Sequence, residues 1–361
     1  MTFLIFLIVL GVLVFIHELG HFLVAKKAGV QVDEFGFGYP PRAFKIGRKW
    51  GTLFSLNWIP FGGFVKILGE DYDDFSDSKN LRFTEVSKKW QAAILASGVV
   101  FNIIFAWLLF SFGFMVGLPT PVENNFGAAV KNPVLTIVEV LPDSPAQKAG
   151  LKSGDKIENI SLESGKMLKI LNPENVSDFI NNSAGEVLVV VDRGGKNFDF
   201  KITPEAGIIE NKKIIGIDMD MVGILSLPIH KAIYEGGKTT FEITYLTAGG
   251  LINLIGDAVK GKADISNIAG PVGIVGLVGD ASRLGFAYLI TFTALISINL
   301  AIINLIPFPA LDGGRILFVI IEGVTKRKIN PKIASTLNTI GFALLITLML
   351  VVTYRDILKL F

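Results

Sequence analysis

Residues 11–25 read GVLVFIHELGHFLVA, a run apolar enough for lipid that nonetheless carries His17, Glu18 and His21. An ionisable group at the centre of a bilayer costs about 2.5 to 3.5 kcal/mol on insertion scales, so such residues in a span are functional candidates by default. His17 and His21 lie four residues apart, which on a helix sets two imidazoles one turn apart on one face and suits two ligands of a tetrahedral Zn2+. Glu18, one step round the helix, could reach a metal-bound water without ligating the metal, as the general base does in H-E-x-x-H metalloproteases. In a chain with three histidines this motif arises by chance in roughly one sequence in a thousand. The plainer reading keeps both histidines satisfied in a bundle core with Glu18 as their acceptor. The remaining histidine, His230, carries no assigned role.

Two side chains do not complete a catalytic zinc site, which usually has three protein ligands and one position open to water. The chain contains no cysteine and no further histidine in an apolar run, so the third ligand is expected to be a carboxylate. The candidate is Asp312 in NLIPFPALDGGR, residues 304–315, where two prolines and two glycines break the helix. Span one exits at Lys26, so its histidines and Asp312 are both expected near the cytoplasmic boundary. A helix N-cap on the following RILFVIIEG is the other role open to Asp312, and the two need not exclude each other.

The 361 residues are 51% hydrophobic, with the apolar residues gathered into long runs. Four runs approach the roughly 20 residues that a bilayer core requires: 2–25, 92–118, 286–306 and a shorter one at 337–352. The first lacks a basic start and a small-residue cleavage site, so it is expected to be a retained helix. A net charge of +2 with dispersed basic residues argues against nucleic-acid binding. Basic residues concentrate between Lys26 and Lys89 and again from Arg315 to Lys332, which makes those stretches cytoplasmic and puts both termini and residues 119–285 outside.

The expected fold is a multi-pass α-helical membrane protein of four transmembrane helices with a membrane re-entrant β element, plus an extracytoplasmic α+β domain. The re-entrant element lies at about 35–68, where FGFGYPPRAF and GTLFSLNWIPFGGFVKIL combine Gly, Pro and aromatics with short apolar alternation. Non-helical backbone at that depth needs protein or a water-filled cavity to satisfy it. An amphipathic hairpin lying at the headgroups is the alternative. In the outer segment, strands are expected at 134–140, 155–160, 186–192 and 198–203, with short helices opened by Ser144-Pro145 and Asn172-Pro173. The division is then 1–118 for spans one and two, 119–210 for the α+β domain, 211–285 for an amphipathic helical linker and 286–361 for spans three and four. Asn102, in span two, is expected to make an interhelical amide bond where small residues allow close packing.

HELGH at 17–21, FGFGYPP at 35–41, FGGFVK at 61–66, SGVVFN at 97–102, GPVG at 270–273 and NLIPFPALDGG at 304–314 together resemble the site-2 protease family, within it the bacterial regulators of sigma-E proteolysis. SPAQKAGLKSGDKIENI, residues 144–160, is similar to the core of bacterial PDZ domains, and the insert has room for one such domain where well-known Gram-negative members carry two. The resemblance implies an intramembrane zinc protease in a bacterial inner membrane with both termini outside. It implies that His17, His21 and Asp312 bind Zn2+, that Glu18 activates water, and that Asn304 and Pro309 line the substrate. An edge strand within 52–66, with Gly62, Gly63 and Phe64 in contact, is expected to pair with the unwound substrate. The implied substrates are single-span membrane proteins such as anti-sigma factors, and remnant signal peptides. The PDZ-like domain is expected either to contact trimmed substrate ends or to exclude bulky ectodomains. The competing classes are a non-catalytic membrane-anchored PDZ scaffold, which requires no HELGH and LDGG pair, and a divalent-metal transporter, for which no second ionisable relay or inverted repeat is evident.

Overall fold

The computed structural model describes residues 1–70, 80–124, 129–162, 164–209, 212–262 and 269–358. They form two compact units, one of Met1–Ser111, Ile233–Ser282 and Ile290–Phe361, the other of Phe112–Ala232 with Arg283–Leu289.

The chain begins with α1 (Thr2–Lys27), which ends on a basic pair. A hairpin of β1 (Val32–Lys49) and β2 (Thr52–Ile67) follows, turning at Trp50 and Gly51, both at positive φ. Next come α2 (Lys88–Val116), β3 (Leu118–Pro121), β4 (Lys131–Val140), α3 (Pro145–Ala149), β5 (Lys156–Leu162) and α4 (Pro173–Asn181). The strands β6 (Val187–Asp192), β7 (Asn197–Ile202), β8 (Glu205–Ile209), β9 (Lys212–Ile214) and β10 (Ile217–Leu225) lead into α5 (Ile229–Val259), α6 (Pro271–Leu284), α7 (Phe286–Leu305), α8 (Asp312–Thr325) and α9 (Pro331–Leu358).

Four helices, α1, α2, α7 and α9, are long and apolar enough to cross a membrane. The fourth is longer than its apolar run, because Pro331 starts the helix six residues before that run begins. In the first unit the β1–β2 strands are bent, so that each contributes two arms. Phe35 faces Phe54 on one side and Val65 on the other, so the arm 32–37 lies between 52–57 and 63–67. The outer arms are therefore 42–49 and 63–67, and among the described residues no further strand pairs with 63–67. An aromatic cluster fixes this hairpin to α1: Phe15 stacks on Phe37 at 4.8 Å, and Phe22 meets Phe35 and Phe54 edge-on at 5.4 and 5.8 Å. Ile94 and Leu95 of α2 and Val319 of α8 complete that core.

The second unit is built on a six-stranded sheet in the order β3-β10-β4-β5-β6-β7. Its strands β4 to β7 form where the apolar alternation indicates, and Leu135, Ile137, Ile157, Ile160, Val187, Val189 and Val191 point into one core. Both short helices are capped from sequence: Ser144 Oγ accepts from Gln147 N at 3.2 Å, and Asn172 Oδ1 from Asn175 N at 2.7 Å. Residues 211–285 are not a helical linker throughout. Ile217, Met219 and Met221 alternate with Asp218 and Asp220, and that period of two makes β10 an inner strand between β3 and β4, with the three apolar side chains against the core. Among the described residues of that stretch only α5 and α6 are helical.

Candidate active site

The helical spacing of His17 and His21 sets their rings 4.8 Å apart on the buried face of α1. Asp312 reaches them from the first residue of α8. Leu311 takes the cap position there, so the Asp312 carboxylate does not serve as an N-cap. The loop before α8 is compressed: a Cβ on Gly313 would lie 2.3 Å from the carbonyl oxygens of Leu305 and Ile306, and one on Gly314 would lie 2.2 Å from that of Phe308. Only glycine allows this return, which brings a carboxylate 295 residues away to the HELGH helix.

Three donor atoms converge. His17 Nε2 lies 3.0 Å from Asp312 Oδ2, His21 Nε2 lies 3.4 Å from the same oxygen, and the two Nε2 atoms are 3.2 Å apart. Ligand atoms at about 2.0–2.1 Å from a tetrahedral zinc stand about 3.3 Å from one another, so the donor set and its spacing fit that ion. Among the described residues these three form the one cluster of possible metal ligands, all within 4.8 Å of one another. Burial alone would raise the Asp312 carboxyl, but hydrogen bonds from the two histidines bring it well below the usual carboxylate range.

Beside the cluster lies a cavity of about 440 Å³, lined by Glu18, Tyr39, Gly63, Phe64, Val65, Glu70 and Arg315 among others. The whole edge arm 63–67 forms one wall. Glu18 lies against this arm, its Cγ 3.8 Å from where a Cβ on Gly63 would stand. Arg315 and Glu70 are ion-paired across the cavity wall.

The residues expected at the site do not all gather there. His17, Glu18, His21, Asp312, Gly63 and Phe64 line the cavity. Gly62 faces a separate apolar groove beside α1, with Leu7, Gly11 and Phe37. Asn304, in the last turn of α7, and Pro309, packed against Gly341 of α9, do not line it. Two residues of α2 enter the site that were not assigned to it from sequence. Asn102 makes its interhelical bond to a metal-ligand candidate, with Nδ2 3.2 Å from His17 Nδ1. Gly98 lies directly against both imidazoles. The signals for them were the SGVVFN stretch at 97–102 and, for Asn102, a polar amide in an apolar span.

A His-Glu-x-x-His helix joined by a distant aspartate, beside a cavity of about 440 Å³ and among helices of membrane-spanning character, defines a metallopeptidase of the membrane. The chain belongs to peptidase family M50, whose model matches residues 5–348. It is 30% identical to the zinc metalloprotease RasP of Geobacillus kaustophilus, covering 99% of this chain and 97% of that one. It is also 30% identical to the regulator of sigma-W protease RasP of Bacillus subtilis, over 100% and 99%. A Clostridium acetobutylicum protein bearing a zinc metalloprotease name is 33% identical over 96% and 94%. Membership of a peptidase family favours neither a scaffold nor a transporter.

Proposed function

We propose that this protein is an intramembrane zinc endopeptidase that cuts the transmembrane segments of single-span membrane proteins, with His17, His21 and Asp312 as metal ligands and Glu18 as general base. The observation that carries the reading is the convergence of the three donor atoms beside a cavity and a strand edge that is unpaired among the described residues. A zinc ion held by His17, His21 and Asp312 would supply Lewis-acid polarisation of the scissile carbonyl and make an attacking water easier to deprotonate. Glu18 takes the proton of the attacking water and returns it to the leaving amine. A helical substrate hides its peptide groups in its own hydrogen bonds and must be unwound before it is cut. The arm 63–67 offers the exposed peptide replacement partners by strand addition, with Gly63 and Phe64 in contact with it. Asn304, Pro309 and Gly62 belong to this reading as outlying contacts for the same extended substrate.

Four membrane-crossing helices with the N- and C-termini outside agree with the concentration of basic residues on the cytoplasmic side, and with a site near that side of a bacterial cell membrane. The six-stranded unit is then extracytoplasmic. Its strand-and-helix content supports a PDZ-like domain that contacts trimmed substrate ends or excludes bulky ectodomains. The name of the Bacillus subtilis relative, a regulator of sigma-W protease, supports a place in regulated proteolysis, with anti-sigma factor type membrane regulators and remnant signal peptides as substrates. Glu18→Gln is expected to abolish cleavage of a transmembrane reporter while leaving zinc bound; retained turnover refutes the role of Glu18.

A further inference from the structure

We infer that Asn102 is a positioning residue whose carboxamide sets which ring nitrogen of His17 is free to bind metal. The inference rests on the zinc site proposed above and adds to it a residue that touches neither metal nor substrate.

The two histidines are supported differently. His21 Nδ1 lies 2.8 Å from the carbonyl oxygen of Ile94. A carbonyl only accepts, so Nδ1 carries the proton and Nε2 keeps its lone pair facing the cluster. Among the described residues no backbone carbonyl does this for His17. Its Nδ1 faces the Asn102 side chain, 3.2 Å from Nδ2, while Asn102 Oδ1 is buried without a hydrogen-bond partner among the described residues. With the NH2 group inward, Nδ1 must accept, and the ring proton sits on Nε2 and points at Asp312 Oδ2, 3.0 Å away. That tautomer cannot bind a metal through Nε2. A half-turn of the carboxamide exchanges its two ends in nearly the same volume and brings Oδ1 to Nδ1. His17 then donates from Nδ1–H, Nε2 is freed, and the orphaned oxygen gains a partner in the same movement.

The surroundings fit a fixed support. Asn102 is wholly buried, and its backbone carbonyl accepts a hydrogen bond from Ser297 Oγ of α7 at 2.8 Å, which ties this turn of α2 in place. A carboxamide can serve both metal-free and metal-loaded forms, because it has a donor end and an acceptor end. A carboxylate would serve only the second.

The test measures Zn2+ affinity of the purified full-length protein in detergent by competition with a chromophoric chelator. Asn102→Leu, which keeps the volume and removes the acceptor, is expected to weaken zinc binding by about 10–100-fold, and Asn102→Asp, which keeps an acceptor, to stay within about threefold of wild type. Wild-type affinity in Asn102→Leu, or equal loss in both variants, overturns the inference and leaves a packing role. Where Asn102→Asp does not accumulate, the ligand-field spectrum of Co2+-loaded Asn102→Leu decides: a shifted spectrum supports the inference and an unchanged one overturns it. Failure of the underlying zinc site looks different, since His17→Ala would then bind zinc as wild type does, and both readings would fall together.

Discussion

Gly98 of α2 lies directly against the imidazoles of the HELGH helix. A Cβ there would lie 2.5 Å from His21 Nε2 and 2.7 Å from His17 Nε2, inside any real contact distance. Gly98→Ala is therefore expected to push both imidazoles off their common point. A displacement near 1 Å costs about 100-fold in rate, and the same displacement lowers zinc content, both measurable on purified protein. Wild-type zinc content and turnover would show that the rings do not converge as described. That His17 and His21 share one face was legible in the sequence because four-residue spacing on a helix is a local fact. The choice of Asp312 as their proposed partner came from its loop chemistry and by elimination among ligand types, and the two ends of the chain do meet there. Gly98 and the tie from Asn102 to His17 were not legible, because their meaning comes from a helix about 80 residues away, and one sequence does not state which faces of two helices meet.

Among the secondary elements, the bent hairpin gives the cavity its character. The sequence around 35–68 indicates strands, but not that each long strand bends and leaves 63–67 as an outer arm. That register follows from the kinks at Gly38 and Gly62, both at positive φ, and from the aromatic contacts with α1. Val65 sits in the middle of the outer arm, and Val65→Pro removes a backbone donor from it. The expected result is a loss of about tenfold in cleavage of a transmembrane reporter with zinc content unchanged. Undiminished cleavage would exclude strand addition at this edge. The six-stranded unit has its own internal tie: Arg193 donates to both oxygens of the buried Asp155 at 2.6 and 2.7 Å and to the Gly150 carbonyl at 2.8 Å. Arg193→Ala leaves a buried carboxylate without this partner, and is expected to destabilise that unit by about 3 kcal/mol, seen as faster hydrogen exchange in β5 to β7. Strand β10 escaped the sequence reading because it follows two short strands and leads directly into a long helix, so its alternation was absorbed into the helical stretch.

For the molecule as a whole, the six-stranded unit leaves the chain almost where it enters. Leu118 pairs with Leu225, and Leu227 N donates to Phe114 O at 2.8 Å. Excision of residues 119–224 with a two-residue turn is therefore sterically simple, whereas a cut confined to the expected 119–210 domain would strand β10 without its neighbour β4. If this unit excludes bulky ectodomains, the excised protein gains cleavage of untrimmed substrates; if it receives trimmed ends, cleavage of trimmed substrates falls. Unchanged selectivity in a cleavage assay with both substrate types would remove it from either role. All of this depends on one claim, that a metal sits among three side chains drawn from the two ends of the sequence. Zinc content of the purified full-length protein tests that claim most directly. Wild type and Glu18→Gln are expected to hold one zinc per chain, and His17→Ala and Asp312→Asn to lose most of it. Full zinc content in Asp312→Asn would contradict the site as described.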